Sequence, residues 1–169
     1  MRSFRIVLVL LATGPWTLAL SPNAEKPDVQ AKVKTPDRVS AGARGKIGVE
    51  MTMGPGWHVN SHTPSESFLI PTNVSLTASA GTLSPIRYPK DVEKQFSFSD
   101  KPLRVYEGTV RFETDLDLPA DAVGPVAIRG NVSYQACNDR QCFPPGKIPL
   151  EASIPVSEGG KSGTSALPR

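Results

Sequence analysis

Apolar and polar residues alternate along much of the chain, which is the pattern of β-strands that bury one face. Glycine and proline residues separate the alternating segments from one another. These segments are 29–33, 46–53, 57–60, 73–78, 103–106, 109–118, 126–136 and 148–156. Outside the N-terminal region, no segment has a sustained 3.6-residue apolar period. The sequence therefore predicts an all-β protein.

Two segments show the alternation most clearly. Their apolar faces consist of Val126, Ile128, Val132, Tyr134 and Ala136 in one, and of Ile47, Val49, Met51 and Met53 in the other. The segment Thr82–Pro89 is interrupted by Pro85, which suits an edge strand. Many short strands between glycine and proline turns predict a β-sandwich, and we expect a single domain with an immunoglobulin-like fold.

The N-terminal segment has the features of a secretory signal peptide. Arg2 and Arg5 precede an apolar run, Ile6–Ala12, which resumes after a Thr-Gly-Pro break as Trp16–Leu20. The apolar stretch is too short and too interrupted for a spanning helix, and it lies where a secretory signal lies. We assign residues 1–23 to the signal peptide, 24–156 to the β-sandwich domain, and 157–169, which are rich in glycine and serine, to a disordered tail. The mature domain is therefore expected to be exported.

Charge and composition argue against several functions. The 169 residues include 19 Lys and Arg and 16 Asp and Glu, and two of the basic residues belong to the predicted signal peptide. The exported domain is nearly neutral and has no basic cluster interleaved with aromatic residues, so nucleic-acid binding is not expected. No glycine-rich phosphate loop or paired-carboxylate site stands out, and we expect no cofactor.

The two cysteines of the chain, Cys137 and Cys142, lie close together in the segment YQACNDRQCFPP, Tyr134–Pro145. In an exported protein, two cysteines are first interpreted as one disulfide. One interpretation is a structural bridge that closes the last hairpin, although so short a loop contributes only about 2 kcal/mol through the unfolded state. The other is a redox-active pair, which this small structural gain favours.

Thiol–disulfide exchange requires an accessible sulfur, a thiolate, and a second thiol that resolves the mixed disulfide. Cys137 and Cys142 on one short loop supply the second thiol. Arg140 between them would lower a thiol pKa, whereas Asp139 would oppose this effect. The spacing is not the Cys-x-x-Cys of a thioredoxin helix, and no βαβ pattern surrounds it. A redox-active pair here would work on a β scaffold.

The segment Asp91–Pro102 is polar and charged, and it shows no convincing strand pattern. It nevertheless contains Phe96 and Phe98. Two aromatic side chains in a solvated loop indicate a pocket or a partner site. Alternatively, they form a small apolar cluster beneath the loop.

His58 and Asn60 share one face of the segment 57–60. His58 either tunes a nearby thiol, because the charge of imidazole changes near neutral pH, or is a polar residue on the outer face of a strand. His62 lies in a loop and is expected to be exposed to solvent.

A copper site is an alternative to thiol chemistry. Met51, Met53, His58, His62 and the cysteines are ligand types that suit Cu(I). However, Met51 and Met53 share the apolar face of a strand, which favours the core. Zinc would require four ligands at a recognisable spacing, which the sequence lacks. We therefore assign no metal ligand.

Three segments carry a resemblance to one family. They are PGWHVNS (Pro55–Ser61), FSFSDKPLRVYEG (Phe96–Gly108) and YQACNDRQCFPP (Tyr134–Pro145). In their order and separation they resemble the N-terminal periplasmic domain of the thiol:disulfide interchange protein DsbD. The resemblance extends over residues 29–156.

This resemblance implies an immunoglobulin-like domain whose cysteine pair, Cys137 and Cys142, relays electrons in the periplasm. The pair would accept them from a membrane-embedded carrier and pass them to thioredoxin-like proteins, such as disulfide isomerases and cytochrome c maturation factors. The resemblance also implies that the Asp91–Pro102 segment is a cap loop, with Phe98 or Phe96 as the ring that shields the disulfide. We expect the protein to be a monomer.

Two features depart from the family's pattern. Family members often have tyrosines near the cysteines, where this chain has His58 and Asn60. The best-known members are fused to transmembrane and thioredoxin-like domains, whereas this chain ends at Arg169, so we expect a separately encoded membrane carrier.

Some relatives are linked to copper tolerance, and a non-catalytic binding module with a structural disulfide is the remaining alternative.

Overall fold

The computed structural model describes residues 26–158, and within this range the chain forms thirteen strands and no helix. The strands are β1 (Val29–Lys34), β2 (Val39–Ser40), β3 (Arg44–Met53), β4 (His58–Asn60), β5 (Asn73–Ala78), β6 (Thr82–Leu83), β7 (Val92–Lys94), β8 (Leu103–Glu107), β9 (Thr109–Asp117), β10 (Val126–Tyr134), β11 (Ala136–Cys137), β12 (Gly146–Ile154) and β13 (Val156–Ser157). The predicted all-β class is confirmed. No helix in this part of the chain has the length and apolar character needed to cross a membrane.

Two antiparallel sheets pack face to face as an immunoglobulin-like sandwich. The first has the strand order β1-β3-β9-β6 and the second the order β12-β10-β5. The long pairs are continuous, with β3 and β9 in register from Arg44 opposite Asp117 to Thr52 opposite Thr109. The predicted ends of the long strands therefore lie within two residues of the observed ends.

The apolar faces of both sheets meet in two neighbouring clusters that form the core. One cluster contains Val49, Met51, Met53, Val59, Val74, Tyr106, Phe112, Val132, Ala136 and Leu150. The other contains Val39, Ile47, Leu116, Leu118, Val126, Ile128 and Ile154. Each fully buried aliphatic or aromatic side chain contributes about 1.5–3 kcal/mol relative to an exposed one. The core interpretation of Met51 and Met53 is confirmed.

A third sheet, with the order β11-β4-β8-β7, carries the cysteine segment at one edge. Val59 pairs with Ala136 on one side and with Tyr106 on the other, and all three side chains enter the main core. Neighbouring positions on a strand point to opposite faces. The next row of the sheet, which includes Cys137, therefore faces away from the main core.

Two expectations about chain segments are wrong in detail. The segment Asp91–Pro102 is not wholly a loop, because Val92–Lys94 forms β7. This strand pairs with β8, with Val92 opposite Val105 and Lys94 opposite Leu103. Ser157, placed in the predicted tail, belongs to β13, which pairs with β2 in parallel. The predicted signal peptide, residues 1–23, and residues 159–169 lie outside the described residues.

Candidate functional site

The cysteine segment folds into a short hairpin that brings Cys137 and Cys142 together as a disulfide. The two residues lie directly opposite each other, with their Cα atoms 4.0 Å apart. Backbone hydrogen bonds flank them on both sides, from Asn138 N to Gln141 O at 2.9 Å and from Phe143 N to Ala136 O at 2.8 Å. This arrangement is the closer, non-hydrogen-bonded type of antiparallel pair, so the backbone itself holds the sulfurs within bonding reach.

Asn138 shapes the turn between the cysteines. Its side-chain Oδ1 accepts hydrogen bonds from the backbone N–H groups of Arg140 and Gln141, each at 2.9 Å. Asparagine favours such turns because its short side chain satisfies backbone donors that the turn leaves without a strand partner. Asp139 and Arg140 occupy the exposed tip. Both predicted polar neighbours therefore lie on the cysteine hairpin.

The two cysteines differ in their access to solvent. Cys137 is fully buried, at 0% exposure, whereas Cys142 is exposed. An incoming thiolate must approach the sulfur that it attacks, and the other sulfur then leaves. Of the two residues, Cys142 is therefore the one that is open to solvent.

Phe96 and Phe98 occupy different positions in the 91–102 segment. Phe96 is buried, stacks on the imidazole of His58 with ring centroids 4.1 Å apart, and packs with Leu69, Leu103 and Val105. Phe98 is 40% exposed and stacks on the outer side of Phe96, at 5.3 Å. The segment therefore forms an aromatic layer over the third sheet, on the face that carries the disulfide.

Polar contacts also hold this segment in place. The hydroxyl of Ser97 donates a hydrogen bond to the backbone carbonyl of Asp139, at 3.0 Å. Lys94 lies over the ring of Phe96, with its Nζ 5.4 Å from the ring centroid, and forms an ion pair with Glu107. The segment thus contacts both the cysteine hairpin and the sheet beneath it.

His58 is buried, at 1% exposure, and lies directly opposite Cys137 across the pair of strands β4 and β11. Burial is the main cause that lowers the pKa of the imidazole from 6.5 to about 4. The negative charges of Glu107 and Asp139 raise this pKa, and the positive charge of Lys94 lowers it further. The ring is therefore neutral at neutral pH. Its Nε2 has no hydrogen-bond partner among the described residues. The interpretation of His58 as a polar residue on an outer face is wrong.

Asn60 braces the base of the hairpin rather than facing the sulfurs. Its Nδ2 donates hydrogen bonds to the carbonyl of Ile70, at 3.0 Å, and to Oε1 of Gln135, at 3.2 Å. Gln135 in turn donates from Nε2 to the carbonyl of Phe143, at 3.2 Å. These bonds connect β4 to the two chain segments that enter and leave the cysteine hairpin.

A shallow depression lies beside the hairpin. It has a volume of about 180 Å³ and is lined by Pro55, Gly56, Trp57, Asn138, Asp139 and Arg140. Trp57 packs against Phe143, with ring centroids 5.1 Å apart. The predicted turn after β3 and the cysteine hairpin therefore form one continuous surface.

The residues considered for a copper site are separated by the third sheet. Met51 and Met53 enter the main core, whereas His58 lies on the opposite face, beneath Phe96. His62 is half-buried, stacks on Tyr88 with centroids 3.6 Å apart, and contacts the carbonyl of Thr72 through Nδ1. The expectation of a solvent-exposed His62 is wrong.

Several residues of the site carried no usable sequence signal. Ser97, Glu107 and Gln135 are common polar residues. Only the folded chain brings Ser97 and Gln135 to the hairpin and Glu107 to His58. Asn138 is different, because an asparagine that opens a short loop between two cysteines is a turn signal in its own right. The turn is the part of the site that a closer reading of the sequence would have found.

Solved structures that align with this chain include two N-terminal domains and one cohesin, each with a TM-score below 0.5. The N-terminal periplasmic domain of ScsB from Proteus mirabilis aligns with a TM-score of 0.48 and 18% identity over 73% of this chain and 43% of that structure, so the chain spans less than half of it. The N-terminal domain of DsbD from Neisseria meningitidis, in the reduced form, aligns with a TM-score of 0.44 and 17% identity, over 68% and 82% of the two chains. The seventh ScaB type I cohesin from Pseudobacteroides cellulosolvens gives a TM-score of 0.44 and 12% identity, over 76% and 93%. Curated proteins yield no match.

A family model settles the relationship that the three sequence segments indicated. The model described as the N-terminal domain of the thiol:disulfide interchange protein DsbD matches residues 25–150. This range includes nearly all of the sandwich, the third sheet and the complete cysteine hairpin. The chain therefore belongs to the family of DsbD N-terminal domains.

Proposed function

We propose that Cys137 and Cys142 are a redox-active pair that exchanges electrons with thioredoxin-like proteins. The observation that carries the proposal is the unequal exposure of the pair in a chain of this family, because Cys142 is exposed and Cys137 is buried. A bridge that only braced the hairpin would require no exposed cysteine. It would also require no aromatic segment bonded to the tip of the hairpin through Ser97.

Reduction begins when a partner thiolate attacks Sγ of Cys142. A bond forms between the two proteins, the bond between Cys137 and Cys142 breaks, and its electron pair passes to Sγ of Cys137, which takes up a proton. A second thiol of the partner then loses its proton and attacks the partner's own sulfur in the mixed disulfide. Cys142 leaves as a thiolate and is protonated. The partner is oxidised by two electrons and this chain is reduced by two.

The 91–102 segment acts as a cap in this scheme. Phe96 is its fixed inner ring, held by His58 and the small cluster beneath it, and Phe98 is its outer ring. The bond from Ser97 to Asp139 keeps the cap against the hairpin until a docking protein displaces it. Small thiols would then reduce the closed domain slowly, while a partner that opens the cap would reduce it quickly.

We place the domain in the periplasm as a monomer, on the basis of its family and of the predicted signal peptide. Electrons enter from a membrane-embedded carrier and leave to thioredoxin-like proteins, among them those that serve disulfide isomerisation and cytochrome c maturation. The reaction makes the domain a component of a protein-disulfide reductase. It needs no cofactor, because the two sulfurs carry both electrons.

Mixed-disulfide trapping with single-cysteine variants tests this proposal. Each variant is incubated with a thioredoxin-like protein whose own resolving cysteine has been replaced and whose remaining thiol has been activated as an aromatic disulfide. Cys137→Ala, which keeps Cys142, is expected to form the covalent complex rapidly, and Cys142→Ala slowly. Equal failure of both variants would contradict the proposal.

The reduction potential separates a redox pair from a structural brace. Structural disulfides of exported proteins have potentials below about −300 mV. We expect the Cys137–Cys142 pair to lie well above this value. A value below it would leave the domain as a binding module with a braced hairpin.

A further inference from the structure

Three residues line up across the third sheet on the face that carries the disulfide. Cys137 on β11 pairs with His58 on β4, and His58 pairs with Glu107 on β8. Residues directly opposite each other in an antiparallel pair point to the same face, with Cβ atoms about 4.5–5.5 Å apart. The side chain of His58 therefore projects from the same face as Cys137, its neighbour on one side, and Glu107, its neighbour on the other.

One ring nitrogen of His58 has hydrogen-bonding capacity that no described residue satisfies while the disulfide is closed. The side chain is 1% exposed, and its Nε2 has no partner among the described residues. A buried polar atom without a hydrogen-bond partner is unfavourable. A phenyl ring would provide the stacking on Phe96 without this cost. The unused nitrogen thus indicates a partner that appears only in another state of the site.

Reduction creates such a partner. When the disulfide opens, Sγ of Cys137 becomes a buried thiolate, and a buried anion is unfavourable unless a hydrogen-bond donor stabilises it. Cys137 is fully buried, so water is a poor source of that bond. The polar group directly opposite it is the imidazole of His58.

We infer that His58 is a positioning residue for the leaving sulfur, and that its Nε2–H donates a hydrogen bond to Sγ of Cys137 once the disulfide opens. This inference rests on the proposed thiol–disulfide exchange and adds a specific role within it. The bond stabilises the thiolate that forms when a partner attacks Cys142. His58 transfers no proton in this step, and the neutral imidazole keeps its hydrogen throughout. The thiolate is later protonated from solvent or from the partner's second thiol.

The charges that face His58 keep its ring in the neutral form. Glu107 and Asp139 favour the protonated ring, whereas burial and Lys94 oppose it, and Lys94 is itself paired with Glu107. The neutral form dominates at the pH where exchange occurs. His58 therefore acts as a hydrogen-bond donor of fixed charge rather than as a cation.

The test compares His58→Phe with His58→Gln. Phenylalanine keeps a ring against Phe96 but has no nitrogen, whereas glutamine keeps a donor. The disulfide of each protein is equilibrated with reduced and oxidised glutathione, and the thiolate absorbance of the reduced form is titrated with pH. We expect His58→Phe to lower the equilibrium constant for reduction about tenfold, which is a potential about 30 mV more negative, and to raise the pKa of the Cys137 thiol. His58→Gln should restore part of the shift.

His62→Phe is the matched control, because His62 also stacks on an aromatic ring but lies against Tyr88 and Thr72 rather than beside the cysteines. It should leave the equilibrium unchanged. An equilibrium constant and thiol pKa in His58→Phe within twofold of the wild-type values would overturn the inference. Glutathione equilibration does not need a protein partner, so failure of the wild type to react with thioredoxin-like proteins would count against the proposed function alone.

Discussion

Ser97 and Asp139 connect the aromatic segment to the cysteine hairpin through one hydrogen bond, from the Ser97 hydroxyl to the Asp139 carbonyl at 3.0 Å. The two residues are exposed and lie far apart in the sequence. The bond joins a loop to a turn, and both residues lie outside the strands. Small changes at this contact are therefore expected to alter access to the disulfide more than the stability of the fold.

Replacing Ser97 with alanine removes this connection. One exposed hydrogen bond contributes about 0.5–1.5 kcal/mol, so we expect reduction by a small dithiol to become about two- to tenfold faster. Ser99→Ala is the control, because the Ser99 hydroxyl bonds to Lys101 within the same segment and not to the hairpin. Equal rates in Ser97→Ala and wild type would show that the bond does not restrict access.

Phe96 and Phe98 should differ sharply in their effects on stability. Phe96→Ala removes a buried ring from the cluster with Leu69 and Val105, and we expect a loss of about 3 kcal/mol in the free energy of unfolding. Phe98→Ala removes a ring that is 40% exposed and should cost well under half as much. Urea denaturation of both variants measures the difference. Similar losses in the two variants would contradict the assignment of Phe96 as the inner ring.

The sequence predicted the sandwich well because its signal is local. Alternation over nine or ten residues, as in β3 and β10, is enough to identify a strand and its buried face. The short strand β7 was missed because its three residues are all exposed and carry no alternation. Pairing with β8 holds it in place, and pairing between distant segments leaves no periodic mark on the sequence.

The candidate site was predicted in its residues but not in its arrangement. The cysteine spacing indicated a short loop, and the two phenylalanines stood out against their polar neighbours. The burial of His58 was not predictable, because the ring that covers it, Phe96, comes from a segment about forty residues away. The same holds for Asn60, whose partner Gln135 is more distant still.

Asn138 should influence how readily the disulfide opens. Asn138→Ala removes the acceptor for the backbone groups of Arg140 and Gln141, so the reduced loop would hold its thiols less closely together. We expect the equilibrium constant for reduction by glutathione to rise about three- to tenfold, because each lost hydrogen bond is worth about 0.5–1.5 kcal/mol. Asn138→Asp keeps the acceptor and should stay near wild type. An unchanged constant in Asn138→Ala would show that the backbone pairing alone closes the loop.

His58 also makes the stability of the domain depend on pH. The pKa of His58 is about 4 in the folded chain, against an ordinary value of 6.5 that we take for the unfolded chain. Between these two pH values the unfolded chain therefore binds a proton that the folded chain does not. The contribution of the neutral ring to the free energy of unfolding is fully present above pH 6.5 and is lost as the pH falls toward 4. The loss amounts to about 3 kcal/mol at about 1.4 kcal/mol per pKa unit.

The difference in unfolding free energy between wild type and His58→Phe isolates this contribution, because most other titrating groups are common to both proteins. Urea denaturation at intervals from pH 7.5 to pH 4 should show the difference shifting against the wild type by about 3 kcal/mol. The shift should begin near pH 6.5, where the unfolded imidazole starts to gain its proton. A constant difference across this range would mean that the folded imidazole titrates normally, and that the ring beneath Phe96 is charged when the protein is mildly acidified.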